Sequence, residues 1–160
     1  MPQGEFDVVD RRILHELQRD GRVANTTLAD RVSLSPSPCL RRVTSLESRG
    51  VITGYHAGLD RQAVGLGLTV FVELQVEGHS REVAEQIEHA VTDMPEVVAC
   101  HLVSGAADFL LEVVVPDLPG YERLLLDSLL KLPGVHDLRS NIAIRTVKSP
   151  APLPLEHLRR

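Results

Sequence analysis

The hydrophobic positions of this chain follow two different periods. Over residues 7–20, Val9, Ile13, Leu14 and Leu17 recur at three- and four-residue intervals, which places them on one face of a helix. Asp7 stands where its cap would be and Gly21 where it would stop. A short second helix follows, with Asn25 as its cap and Leu28, Ala29 and Val32 facing inward. Only Ser33 and Leu34 separate it from a third helix that opens at Ser35-Pro36-Ser37-Pro38. Proline breaks a helix interior, but first-turn N–H groups have no intrahelical acceptor, so proline there removes nothing. Ser35 therefore reads as the N-cap, Pro36 as the first helical residue and Gly50 as the stop.

From residue 68 the period shortens to two. Val70, Val72, Leu74 and Val76 alternate with Thr69, Phe71, Glu73 and Gln75, as in a strand with two unlike faces. Val83, Ala84, Ile87, Ala90 and Val91 return to helical spacing, and residues 97–103 and 109–115 are β-branched runs joined by Ser104-Gly105-Ala106-Ala107-Asp108. Residues 118–130 read as a leucine-rich helix opened by Asp117, with Pro119 in its first turn. Leu138, Ser140, Ile142, Ile144 and Thr146 alternate in a last strand. Each helix ends in a similar phrase, Met94-Pro95-Glu96-Val97 and Leu132-Pro133-Gly134-Val135, so the order βαββαβ predicts a ferredoxin-like sandwich. Both helices cover one sheet face; the other, lined by Phe71, His101 and Leu102 or their neighbours, depending on register, needs a partner, and sheet-to-sheet homodimerisation is the expectation.

The predicted fold class is thus α+β. A winged-type helix-turn-helix domain over residues 1–52 is joined by a glycine-punctuated hinge, 53–67, to a ferredoxin-like domain over 68–148. Residues 51–59 read as extended and paired. A tail over 149–160 carries Pro150, Pro152 and Pro154, and its last six residues either dock on a neighbour or stay loose.

The third helix carries the chemistry. At about 100° per residue, Cys39, Leu40, Val43 and Leu46 share one face, with Arg41, Ser45 and Ser48 opposite. Arg42 and Arg49 flank the polar face on one side and Ser37 and Thr44 on the other, leaving no bulky apolar residue exposed. Such a surface suits phosphates and base edges, although alone it is equally an amphipathic helix with a solvated basic face. The succession of short helix, tight turn and basic helix favours the first reading, because it is helix-turn-helix geometry, whose second helix enters the major groove. Ala29 fits a close helix crossing, though by itself it is simply a good helix former.

A formal net charge of −5 looks wrong for a DNA binder until the chain is divided. Residues 1–60 hold eight Lys/Arg and eight Asp/Glu, so the acid excess lies downstream. Between Arg31 and Arg49 four arginines face one acid, Glu47. Phosphate contact depends on that local charge, and an acidic second domain is compatible with it.

Little else suggests chemistry. Seven histidines are scattered without ligand spacing, and Cys100-His101, adjacent in a strand, would point to opposite faces, so no metal is expected. Cys39 and Cys100 fall in different domains of a chain with no signal peptide or membrane span, which fits a reducing cytoplasm. No catalytic elbow, phosphate-cradling loop or carboxylate pair stands out, so no enzyme activity is expected. The alternative, a small ferredoxin-like metabolic enzyme or enzyme-regulatory subunit, leaves Arg41, Arg42 and Arg49 on a capped helix without a purpose.

Several phrases together resemble one family. Asn25-Thr26-Thr27-Leu28-Ala29, Leu34-Ser35-Pro36-Ser37-Pro38-Cys39-Leu40-Arg41-Arg42-Val43, Leu46-Glu47 and Gly50-Val51-Ile52 are similar to the helix-turn-helix of the Lrp/AsnC family, closest to its leucine-responsive branch. Cys100-His101-Leu102-Val103-Ser104-Gly105, Asp108-Phe109-Leu110-Leu111 and Leu132-Pro133-Gly134-Val135 resemble its amino-acid-sensing domain, and the match spans residues 8–148. The resemblance implies a bacterial or archaeal transcription regulator, dimeric and often octameric, reading pseudo-palindromic double-stranded DNA. A free amino acid, and no other cofactor, would alter its DNA binding or assembly.

On these readings Asn25, Thr26, Ser35, Ser37, Pro38, Arg41, Arg42, Ser45 and Arg49 are the candidate DNA contacts. In the family the effector lies between sensing domains of adjoining dimers. Carried over, the Ser104–Asp108 loop would hold it, with Gly105 and Ala106 offering N–H groups to its carboxylate and Asp108 receiving its ammonium. Leu102, Leu118, Asn141, Ile142 and Ala143 match further pocket positions. Taken alone, Asp108 is also a strand-opening turn residue and Gly105 a turn glycine. Ala106-Ala107 replaces a larger or polar pair, and Asn141 an aromatic of the leucine-responsive branch, so the identity of the amino acid is left open.

Overall fold

The computed structural model describes residues 6–77, 81–149 and 151–158. The chain forms two compact units, residues 1–58 together with 148–160, and residues 59–147.

In the first unit α1 (Val8–Arg19), α2 (Asn25–Arg31) and α3 (Pro36–Ser48) enclose one core. Ile13, Leu28, Ala29, Val32, Cys39 and Leu46 are all buried there, each removing apolar surface from water at about 25 cal/mol per Å². Asp7 caps α1 by accepting from the N–H groups of Val9 and Asp10, and Asp10 reaches back to the Asp7 N–H. The cap of α2 differs from the sequence reading. Ala24 occupies that position, and the Asn25 Nδ2 instead donates to the Pro36 carbonyl at 2.9 Å, tying the start of α2 to the start of α3. Ser35 does sit at the N-cap of α3, but its side chain makes no capping bond.

Helices α2 and α3 end alike. After α2, Ser33 takes the left-handed conformation (φ 60°), its N–H meeting the Asp30 carbonyl and that of Leu34 the Ala29 carbonyl. After α3, Gly50 (φ 68°) and Val51 repeat the pattern onto Glu47 and Leu46. Both are Schellman motifs, and only the second has the residue that enters this region without strain. Ser33→Gly is therefore expected to raise stability by about 1 kcal/mol, read as a higher urea midpoint at unchanged slope.

Residues 51–59 join no strand of their own chain among the described residues. The tail belongs to the first unit. The Gln18 side chain brackets Leu153, donating to its carbonyl and accepting from its N–H at 2.6 Å, and Leu155 packs on the helical core. Pro150 lies outside the described residues.

The second unit is a four-stranded antiparallel sheet in the order β2-β3-β1-β4, from β1 (Leu68–Val76), β2 (Val97–Leu102), β3 (Phe109–Val115) and β4 (Val135–Ile142). Helices α4 (Arg81–Thr92) and α5 (Leu118–Asp127) pack on one face against Val70, Val72, Leu74, Leu111, Val113 and Val115. The order βαββαβ is as read from the sequence. Two ends differ. The α5 pattern breaks at Ser128 (φ −130°) and continues as a 3-10 turn, Leu129–Lys131, which keeps Leu129 and Leu132 buried. Strand β4 stops at Ile142, because β1 begins at Leu68 and offers its last rung to the Ala143 N–H through the Thr69 carbonyl. Ile144 and Thr146 pair with no strand among the described residues, and Ile144 is 99% exposed. In the Leu-Pro-Gly-Val phrase, Gly134 takes φ 71° where a Cβ would meet the Val83 Cγ1 at 2.7 Å.

Candidate DNA interface and effector site

Helix α3 turns Cys39, Val43 and Leu46 into the core and leaves Ser37, Arg41, Thr44, Ser45 and Ser48 outside. Leu40 does not follow the sequence reading. It is 53% exposed and stands at the edge of the polar face, because α1 and α2 cover a narrower arc of α3 than the wheel assigned to the core. Thr26 and Ser37 are exposed in the first turns of α2 and α3, Pro38 is half-buried, and Ser35 is exposed beside them.

The three arginines of this helix have separate fates. Arg42 turns back to the start of α1, where its Nη1 donates to the Asp10 Oδ1 at 2.7 Å and lies 2.8 Å from the Asp7 Oδ2. Asp10 is buried, at 8% exposure. These hydrogen bonds push the guanidinium pKa up. The Asp7 carboxyl is held below the usual carboxylate range, first by the Asp10 N–H and also by Arg42. Arg49 lies over the Phe6 ring, 5.1 Å from its centroid, within cation–π range. Arg41 is exposed and makes no hydrogen bond or ion pair with the described residues. Glu47, the one acid of the helix, is occupied by the Tyr55 hydroxyl at 2.9 Å. Burial, then this bond, pushes the Tyr55 pKa up to about 12.

The effector candidates do not converge within one chain. Leu102, Ser104, Gly105, Ala106 and Asp108 gather at the sheet end where Leu102 faces Phe109 and Phe109 faces Leu74. Leu118, Asn141, Ile142 and Ala143 lie toward the opposite end, where Ile142 faces Val70 and Val115 faces Leu68. Val70 and Leu74 are four residues apart on β1, about 13 Å. Asn141 and Ile142, adjacent in a strand, also point to opposite faces.

The loop itself is well braced. Gln75 Nε2 donates to the Ala106 carbonyl at 2.6 Å, a contact the sequence did not suggest. Asp108 Oδ2 accepts from the Val76 N–H at 2.9 Å, and its own N–H and carbonyl meet Leu74 and Val103. Gly105 has φ 135°, which a side chain would resist. The local chemistry thus offers a short loop with exposed Ser104, Gly105 and Ala106 beside a carboxylate.

The sheet face without helices carries Phe71, His101 and Leu110, because His101 faces Leu110 in the register. The register that places His101 there turns Leu102 into the row of Phe109 on the helix side, where it is 68% exposed at the margin. The open face also holds a polar network missed in the sequence: Arg61 donates to Glu112 at 2.8 Å and to Thr69, and Asn141 donates to Glu73. Arg61 belongs to the segment read as hinge, whose residues from Leu59 onward form part of the second unit.

An open cleft of about 480 Å³ lies in the first unit between Arg11, Arg12, His15, Arg31 and the tail's Leu155 and Glu156. It is remote from the effector candidates in sequence and shares none of them. Among the described residues no group of three or more His, Cys, Asp or Glu could hold a metal ion, and no helix is long and apolar enough to cross a membrane. Cys39 and Cys100 are free thiols whose pKa burial pushes up, which disfavours the reactive thiolate.

Comparison with known proteins matches both units. Residues 6–47 match the AsnC-type helix-turn-helix domain, and residues 69–153 the Lrp/AsnC ligand binding domain. The leucine-responsive regulatory protein of Klebsiella pneumoniae is 46% identical over 147 residues, 92% of this chain and 90% of that one. Among solved structures, a transcriptional regulator from Neisseria meningitidis in complex with L-methionine has a TM-score of 0.90 at 37% identity, covering 96% of this chain and 99% of that one. An AsnC family transcriptional regulator from Agrobacterium tumefaciens gives a TM-score of 0.90 at 38% identity, over 95% of this chain and 99% of that one.

Proposed function

The chain belongs to the Lrp/AsnC family of transcriptional regulators, DNA-binding proteins with an amino-acid-binding domain, and from that premise we propose how its own residues divide the work. Helix α3 enters the major groove and α2 crosses the phosphate backbone. The observation that carries this reading is Arg41, a cation left exposed on the polar face and without an ion pair to the described residues, while Arg42 is tied to Asp7 and Asp10. Arg41 reads a base edge; Arg49, beside Phe6 at the helix end, meets phosphate. Two copies related by a two-fold axis read a pseudo-palindromic site, and the open sheet face around Phe71 and Leu110 joins them. Higher assembly to an octamer, action in the cytoplasm, and work as a regulator without catalysis or any cofactor beyond the effector complete the proposal.

Arg41→Ala is expected to weaken operator binding by about 1 to 3 kcal/mol and relax base preference at one position per half-site. Arg49→Ala should weaken binding uniformly and lower the salt slope by about one. Gel shifts over a salt series separate the two, and unchanged affinity in Arg41→Ala removes it from the reading.

The effector is a free amino acid held by residues of two chains. The Ser104–Asp108 loop of one chain and the Leu118, Ile142 and Ala143 end of another supply the halves that a single chain keeps apart, and Leu102, Leu118 and Ile142 are each more than half exposed. The Neisseria relative was solved with L-methionine and the Klebsiella relative is named leucine-responsive, so methionine and leucine are the first to test. A thermal-shift screen of the twenty amino acids should raise the melting temperature for at least one, since a ligand that binds the native state stabilises it. No shift from any of them would overturn the effector reading.

A further inference from the structure

We propose that Leu40 reads the C5-methyl group of a thymine in each half-site, an inference that rests on α3 being the groove-reading helix. Cys39, Val43 and Leu46 of this helix are buried in the core, at 0%, 9% and 1% exposure, whereas Leu40 keeps 53% of its surface in water. It lies in the N-terminal half of α3, the part of a recognition helix that reaches base edges. Ser37 precedes it by three residues and Thr44 follows by four, so all three share one stripe of the helix surface, with Arg41 alongside. The stripe therefore offers one apolar contact bracketed by two hydroxyls and a cation.

The side chain of Leu40 has no hydrogen-bonding group, so it gains nothing from a phosphate or from a purine edge. Among the groups that base pairs present in the major groove, the thymine methyl is the apolar one. A single leucine ringed by Ser37, Thr44 and Arg41 is too small for a protein partner, whose stable interfaces bury roughly 800 Å² a side. Burial of one methyl group against it should be worth about fourfold in affinity.

The test uses the full-length protein and a duplex selected by it from random-sequence DNA, in which each dT is replaced in turn by dU. That replacement keeps the base pair and its acceptors and removes only the methyl. The parent should lose about fourfold at one position per half-site. Leu40→Ala should lose a similar factor on the dT duplex, become indifferent to dU at that position, and keep the parent's salt slope, which a phosphate contact would change. Indifference of the parent to dU at every position overturns the inference, as does a Leu40→Ala protein that still senses the same dU. Failure to select any specific duplex overturns the groove-reading proposal itself, and this inference with it.

Discussion

Replacing Arg42 by alanine is expected to destabilise the helical domain by about 2 kcal/mol. The guanidinium bonds the Asp10 Oδ1 at 2.7 Å and lies 2.8 Å from the Asp7 Oδ2, and its loss leaves two neighbouring carboxylates facing each other without a cation. Breaking a fully buried pair costs several kcal/mol, and exposed pairs contribute under one. With the Asp10 side chain at 12% exposure and that of Arg42 at 36%, this pair falls between. The damage reaches beyond one contact, because Asp7 and Asp10 form the capping box of α1 and Arg42 is what fixes α3 against that end.

The pH dependence has a definite sign. Asp7 is held below its ordinary value in the folded chain, by the Asp10 N–H first and by Arg42 with it. A carboxylate with a depressed folded pKa adds stability that is present above its unfolded value, about 3.9, and is lost as pH falls through the folded value. The part of the Arg42→Ala penalty that comes from Asp7 therefore holds at neutral pH and fades in acid, so the gap between the urea midpoints of parent and variant should narrow as pH falls below the ordinary carboxylate range. Operator binding should fall only in step with the folded fraction. Lost affinity in fully folded variant would instead make Arg42 a DNA contact.

That distinction shows where the sequence was legible and where it was not. The helical and strand periods identify three helices and then βαββαβ, because core-facing residues must recur at the period of their element. Asp7 and Asp117 are readable caps, since a carboxylate before a helix has four orphan N–H groups to accept from. Partner choice was not readable. Arg42 and Arg41 are adjacent and identical in type, and only the fold brings Asp10, thirty-two positions away, to one and not the other. Asn25 looks like a cap and serves as a clamp on Pro36 for the same reason. Leu40 fits the apolar arc of an idealised wheel, but how wide an arc is covered depends on the neighbouring helices. Which of His101 and Leu102 lines the open face could not be read either, because the irregularity between Val97 and Ala99 shifts β2 by one residue and so exchanges its faces. Had β2 been regular, His101 and not Leu102 would have turned toward the helices.

Asp108 is expected to give the largest functional effect, and two substitutions separate its two tasks. Its Oδ2 accepts from the Val76 N–H where β1 is irregular between Gln75 and Val76, so alanine leaves a partly buried donor unsatisfied and should destabilise the sensing domain by about 1 to 2 kcal/mol. Asparagine keeps an acceptor oxygen in place and removes the charge, so it should preserve stability to within about 0.5 kcal/mol. If the carboxylate also receives the effector's ammonium, both variants lose a charge-assisted hydrogen bond worth about 1.5 to 3 kcal/mol. Calorimetric titration with the amino acid that shifts the parent's melting temperature should then show about a ten- to hundredfold weaker affinity in Asp108→Asn, with the urea midpoint nearly unchanged. Full effector affinity in Asp108→Asn would leave Asp108 as a residue that ties the loop to β1 and would remove it as the ammonium's partner. The ammonium would then need another acceptor, and the exposed Ser104 hydroxyl and the carbonyls of the loop are the groups beside it.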